Sequence, residues 1–273
     1  MMRLRYLLPG LGAVIVLVFA AGALLAHWLA PYDPAAINLS QQLAPPSAQH
    51  LLGQDVNGAD IFSRLLYGAR ISLLVGLAVI LTSAAVGTGV GLLSGYYGGW
   101  LDVLIMRLVD ILLAFPGLLL AIALVAVLGP SVGNVILALA VLGWVSFARL
   151  VRGQVLSIKA REFILAARTS GQSDLRVMAV HILPNVLSPI IVQATFSLAG
   201  VIIAESSLSF LGLGVPPGTP SWGAMLSEGK QVLLQAPHVS IFPGLAIMLV
   251  VLAFNFLGDG LRDRFDPRAM KGF

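Results

Sequence analysis

Residues 71–101 read ISLLVGLAVILTSAAVGTGVGLLSGYYGGWL, with no Asp, Glu, Lys or Arg. A bilayer core about 30 Å thick needs roughly 20 mainly apolar residues per helix, so this run predicts a membrane span ending near the glycines at 95–99. Similar runs lie on both sides of it. Residues 7–29 follow Arg3 and Arg5 but exceed the roughly 7–15 apolar residues of a signal-peptide core, and they read as an uncleaved span. Residues 111–148 are charge-free yet too long for one helix, and the turn formers at 128–134 (LGPSVGN) divide them in two. Spans at 182–204 and 241–258 bring the number to six.

Composition agrees. Of 273 residues, 58% are hydrophobic and 10% charged, with a mean hydropathy of +0.96. A soluble domain carries about 25% charged residues, and a disordered chain combines low hydrophobicity with high net charge. Both classes are excluded. The expectation is one all-α membrane domain over 7–258, flanked by a short segment at 1–6 and a tail at 259–273. Cysteine is absent, which removes disulfides and thiol chemistry. His27, His50, His181 and His238 lie far apart and form no ligand pair, so no metal site is expected. The net charge of +4 comes from Lys and Arg in short intervals between apolar runs, which suits anchoring at a lipid bilayer rather than nucleic-acid binding.

With six spans, alternate connecting segments hold thirteen basic residues on one side and three on the other. Basic residues stay on the cytoplasmic side, so both termini are expected to be cytoplasmic, with the segments near 30–70 and 205–240 outside. Pro31, Pro34, Pro45 and Pro46 make the first external segment irregular, and its later part, 58–67, could form a short interfacial helix. The second contains Leu208, Phe210, Leu211, Leu213 and Trp222, too apolar for disorder, and is expected to fold back on the bundle. Gly87, Gly91 and Gly95 recur on one helix face and predict a groove for close helix packing.

The internal segment 149–181 carries six basic and two acidic residues. Ala166-Ala167, then Gly171, then Asp174 as an N-cap suggest two short helices with a glycine between them. That pattern suits anchoring, and equally a helix that docks a cytoplasmic partner.

The same loop resembles a known family. Ala166-Ala167-x-x-x-Gly171 followed by Ile182-Leu183-Pro184 is similar to the EAA loop of permease subunits in bacterial ABC importers. Leu52-Gly53-x-Asp55-x-x-Gly58-x-Asp60-x-x-Ser63-Arg64 with Gly68-x-Arg70-x-Ser72-Leu73 resembles the first external segment of the dipeptide/oligopeptide/nickel permeases. The last external loop of that family resembles Glu205-x-x-Leu208-Ser209-Phe210-Leu211-Gly212-Leu213-Gly214, continuing through Pro217 and Pro220-Ser221-Trp222-Gly223. The likeness runs to Asp266-Pro267-Arg268 and points to the C-type member of the permease pair. Leu165 stands where the family usually has the glutamate of its triplet.

The resemblance implies a type I-like importer permease in the bacterial inner membrane. It would pair with a homologous permease, two cytoplasmic ATPases and an external substrate-binding protein. ATP and Mg would be used by the ATPases, with no cofactor in this chain, and the cargo would be short peptides, or alternatively glutathione or a nickel chelate. Ala166, Ala167, Gly171, Leu183 and Pro184 would couple to an ATPase. Asp55, Gly58, Asp60, Arg64, Glu205, Gly212, Gly214 and Trp222 would form the external-loop motifs. An intramembrane enzyme would need paired carboxylates, a Ser/His dyad or His ligands, and a single-chain carrier ionisable groups at mid-membrane; the sequence places its charges at span ends. Of the polar residues, Asp110 is expected to pair with Arg107 one turn away, and Gln193, Thr195 and Asn255 to hydrogen-bond between helices.

Overall fold

The computed structural model describes residues 2–216 and 218–265. Pro217 and the motif at 266–268 lie outside them, as does Lys271. Eleven α-helices are present among the described residues: α1 (Met2–Leu24), α2 (Ala26–Leu29), α3 (Ile61–Tyr97), α4 (Gly99–Ala114), α5 (Gly117–Leu128), α6 (Val132–Ile158), α7 (Glu162–Thr169), α8 (Asp174–Arg176), α9 (Leu183–Phe210), α10 (Trp222–Gln231) and α11 (His238–Phe265). Helices α1, α3, α6, α8–α9 and α11 are each long and apolar enough to cross a membrane, and α4 with α5 makes a sixth span if the bent pair is counted as one.

The spans outrun the apolar stretches that predict them. Helix α3 begins at Ile61, so 58–67 is no separate interfacial helix. Asp60 caps it, its Oδ2 accepting from the Ser63 N–H and hydroxyl, both at 2.8 Å. Helix α6 continues past Ala148 to Ile158, and the internal loop shortens to match. Helix α9 runs through Glu205 to Phe210, and the segment after it contains α10. Residues 259–265 extend α11 rather than starting a tail. In each case charge ends the hydropathy signal without ending the helix, since backbone bonding continues wherever a charged side chain finds a partner or water.

The third span is the larger correction. It starts at Gly99, after Gly98 and Gly99 turn the chain at φ +68° and +60°. It then breaks at Phe115, whose extended backbone (φ −92°, ψ 140°) precedes Pro116, the conformation a following proline favours. The two halves meet at 87°. Helix α5 alone, with 12 residues, rises only about 18 Å.

A second irregularity lies before α9. Residues Val177–Ile182 form a π turn, with the Leu183 N–H bonded to the Met178 carbonyl five residues back. Pro184 has no N–H to give the Val180 carbonyl. The helical path nevertheless continues from Asp174 to Phe210, and Pro184 sits inside it.

The centre of the molecule is the α3–α6 contact, and the glycines create it. A Cβ on Gly91 would lie 2.6 Å from the Ala148 carbonyl oxygen, and one on Gly95 2.8 Å from Val155 Cβ; one on Gly87 would strike Trp144 and Phe147. Around this pair, Phe19, Ile202, Trp222, Met225 and Phe254 join α1, α9, α10 and α11 in one buried cluster. A second cluster, from Phe147 to Ile190, holds α6, α7 and the π turn together.

Candidate functional site

The residues singled out in the sequence gather at opposite ends of the bundle. At one end, α7 lies against the second cluster through Ile164 and Ala167, both buried, while Phe163, Leu165 and Ala166 face outward. Only one of the two adjacent alanines is therefore open to a partner. Gly171 closes the helix at φ +78°. Its N–H bonds to the Arg168 carbonyl (3.0 Å) and the Gln172 N–H to the Ala167 carbonyl (3.2 Å), the pair of bonds that defines a Schellman end. Asp174 opens the next helical segment as its first residue, and the N-cap position belongs to Ser173. Leu183 is half-buried against the second cluster and Pro184 is exposed; both sit on α9, beyond the π turn.

Three contacts fasten this loop to the spans. The Tyr96 hydroxyl donates to Asp174 at 2.6 Å, the Arg168 guanidinium lies 5.8 Å from the Tyr96 ring centre, and His181 Nε2 meets Gln172 Oε1 at 2.9 Å. Nearby, Arg152 forms a two-pronged pair with Asp102 (both 2.6 Å), and Lys159 Nζ donates to the Gly95 carbonyl at 2.8 Å. The start of α4 and the end of α3 are thus clamped onto α6.

At the other end, Asp55, Gly58, Asp60 and Arg64 come together. Asp55 Oδ1 accepts from the Asn57 and Ala59 N–H groups (2.7 and 2.9 Å). Gly58 turns at φ +72° against the Asn38 carbonyl. Asp60 also receives His50 Nδ1 at 3.0 Å. Arg64 is buried between Asp55 and Glu228. Glu228 lies outside every sequence motif, and its distance from Arg64 along the chain left no local signal.

Glu205 forms a separate network. It is buried inside α9 and accepts from Ser209 (2.8 Å), Ser72 (3.2 Å) and Ser206 (3.4 Å). Gly212, at φ +78°, closes α9 with a second Schellman pair: its N–H to Ser209 O and the Leu213 N–H to Leu208 O. Gly214 sits against Ser209 with no room for a Cβ. Trp222 donates to the Leu65 carbonyl at 3.0 Å, and its ring requires glycine at 68, where a Cβ would lie 2.7 Å away.

Between the two ends, Ser83, Gly117, Gly143, Ser146, Ser197 and Gly200 line an open groove of about 300 Å³ formed by α3, α5, α6 and α9. It carries hydroxyls and no charge. Three polar residues expected to bond between helices bond within their own instead: Gln193 to Ser197, Thr195 to the Ile191 carbonyl and Asn255 to the Val251 carbonyl. Asp110 pairs with Arg149 on α6, not with Arg107. No group of three or more His, Cys, Asp or Glu among the described residues could hold a metal.

Residues 87–271 match the family model described as binding-protein-dependent transport system inner membrane component. Residues 10–46 match the N-terminal TM domain of oligopeptide transport permease C. The chain is 48% identical over 257 residues to the dipeptide transport system permease protein DppC of Alkalihalophilus pseudofirmus, covering 94% of this chain and 84% of the relative. It is 52% identical over 260 residues to the glutathione transport system permease protein GsiD of Escherichia coli and of Shigella boydii, covering 94% of this chain and 85% of each relative.

Proposed function

The chain belongs to the family of binding-protein-dependent transport system inner membrane components, as a C-type ABC importer permease, and on that premise we propose how its geometry serves import. The chain forms half of a translocation path for short peptides and pairs with a homologous permease. Two ATPase subunits, using ATP and Mg, dock beneath it, and an external binding protein delivers the cargo. Both termini face the cytoplasm of a bacterial inner membrane.

The observation that carries the reading is the outward face of α7. Phe163, Leu165 and Ala166 form an exposed, largely apolar surface on a short helix whose opposite face is locked to two spans. A partner that moves this helix moves α6 and α9 with it. Leu165, in place of the usual glutamate, makes that contact one of packing rather than of charge. The weakly polar groove between α3, α5, α6 and α9 suits a path that passes cargo without holding it, since tight binding would slow release.

Short peptides are the cargo class because the relatives named above carry dipeptide and glutathione transport in their names. The test is reconstitution of the complete importer with its binding protein, comparing uptake of labelled dipeptide, longer peptide, glutathione and nickel chelate. ATP-dependent uptake of one or more peptides is expected. Uptake of nickel chelate alone would overturn the cargo while leaving the permease role intact, and tight peptide binding by this chain alone would contradict the division of labour.

A further inference from the structure

The motif Gly68-x-Arg70-x-Ser72-Leu73 is accounted for by the fold except at one position. Gly68 admits Trp222, Ser72 bonds to Glu205 and Leu73 packs against the first cluster. Arg70 is exposed, forms no ion pair among the described residues, and has only the Tyr67 ring beside it, 5.7 Å from guanidinium carbon to ring centre.

Its surroundings are specific. A groove of about 450 Å³ runs between α1 and α3. Leu24 of α1 and Ile71, Leu74 and Leu77 of α3 give it apolar walls, and Tyr67, Arg70 and Thr219 add polar groups, with Tyr67 and Arg70 toward the start of α3. From Arg70 to Leu77 the helix rises about 10 Å. Beyond Arg70, α3 carries no charged residue to its end at Tyr97, so Arg70 marks one border of the hydrocarbon layer. A tyrosine at that depth is the usual interfacial residue. An arginine there would be costly inside the hydrocarbon, and its planar fork matches a phosphate in two-pronged fashion.

We propose that this groove binds an anionic phospholipid, with its phosphate on Arg70 and an acyl chain along Leu74 and Leu77. A polar rim above a long apolar floor, on a membrane span, has the amphipathic outline of such a lipid, and the unpaired cation supplies the charge complement. The inference is independent of the cargo and of the ATPase contact.

The experiment is to purify the full-length chain with the subunits that accompany it from nanodiscs of phosphatidylcholine and phosphatidylglycerol. Phosphatidylglycerol retained after extensive washing is then measured by mass spectrometry. Wild type and Arg70→Lys are expected to retain it, and Arg70→Gln to retain about fivefold less. Leu74→Trp, which fills the groove without touching the charge, is expected to lower retention as well. Equal retention by wild type and Arg70→Gln overturns the proposal. So does displacement by inorganic phosphate with no effect of Leu74→Trp, which would identify a free anion as the ligand. Retention by the isolated chain that vanishes in the assembled complex would overturn it too, by showing that a protein covers the groove.

Discussion

Arg64 and Glu228 are 164 residues apart in the chain, yet Arg64 Nη1 meets Glu228 Oε2 at 2.7 Å and Nη2 meets Oε1 at 3.1 Å. Asp55 Oδ2 meets the same Nη1, so the two carboxylates share one nitrogen of the guanidinium. One buried cation therefore ties the irregular segment before α3 to α10.

Removing that cation leaves two carboxylates facing each other, one fully buried. Breaking a buried pair from one side costs about 3–5 kcal/mol, so Arg64→Ala should unfold at much lower temperature or denaturant in detergent. Glu228→Gln should cost about 1 kcal/mol or less, because its side chain is 30% exposed and Asp55 still neutralises the arginine. Thermal unfolding of both variants checks the order. Equal losses would mean that the cation's pairing does not organise this end.

The α3–α6 contact makes a sharper steric prediction. Gly91→Ala puts a methyl 2.6 Å from the Ala148 carbonyl oxygen and 2.8 Å from Val151 Cβ, whereas Gly89→Ala meets nothing within 4 Å. Overpacking of this kind costs about 1–3 kcal/mol, and the Gly89 variant should be neutral or slightly stabilised by better helix propensity. Unfolding of the two variants side by side measures this, and equal stabilities would exclude close packing at Gly91.

These residues also show what the sequence discloses. The period of Gly87, Gly91 and Gly95 is a local signal with a local consequence, and it was legible. So was the turn at Gly171, because only glycine adopts a positive φ freely. The ends of α3 and α6 were not, because hydropathy reads Arg70 and Arg149 as borders, while α3 already begins at Ile61 and α6 runs on through Arg149 and Arg152, paired with Asp110 and Asp102. The break at Pro116 carried a signal that the uniform apolarity around it masked. The partnership of Arg64 with Glu228 is set by tertiary structure alone, and no spacing rule reaches across it.

Topology can be tested cleanly because the chain has no native cysteine. Single cysteines at Gln49 and Thr169, both exposed and at opposite ends of the bundle, should react with an impermeant thiol reagent from opposite sides of the membrane. Position 49 is expected outside and 169 inside, from the basic asymmetry. Labelling of 169 from outside would invert the orientation, and labelling of both from one side would break the six-span count.

The link from Tyr96 to Asp174 predicts a defect in transmission rather than in folding. Tyr96→Phe keeps the ring beneath Arg168 and removes a single 2.6 Å hydrogen bond between the end of α3 and the segment after α7. One such bond is worth about 1 kcal/mol, so stability should change little. ATP hydrolysed per cargo molecule imported should rise. An unchanged ratio would show that α7 drives the spans through α6 and α9 alone.

Gly171 isolates backbone geometry from packing. Its φ of +78° places it in the left-handed region, and an added Cβ would meet nothing within 4 Å. Within this chain, therefore, substitution acts through the conformation of the turn rather than through a clash. A β-branched residue there costs about 1–2 kcal/mol or more, enough to favour release of the two bonds from Gly171 and Gln172 that close α7. Ile164 and Ala167 remain buried, so insertion and overall stability should survive. What changes is the direction in which Phe163, Leu165 and Ala166 face. Gly171→Val is thus expected to insert normally yet lose most import and most cargo-stimulated ATP hydrolysis. Gly171→Asn, whose side chain tolerates the left-handed region, should keep much of both. If Asn is as harmful as Val, the turn's conformation is not the cause. Normal import by a well-expressed Val variant would remove Gly171 from the coupling machinery altogether.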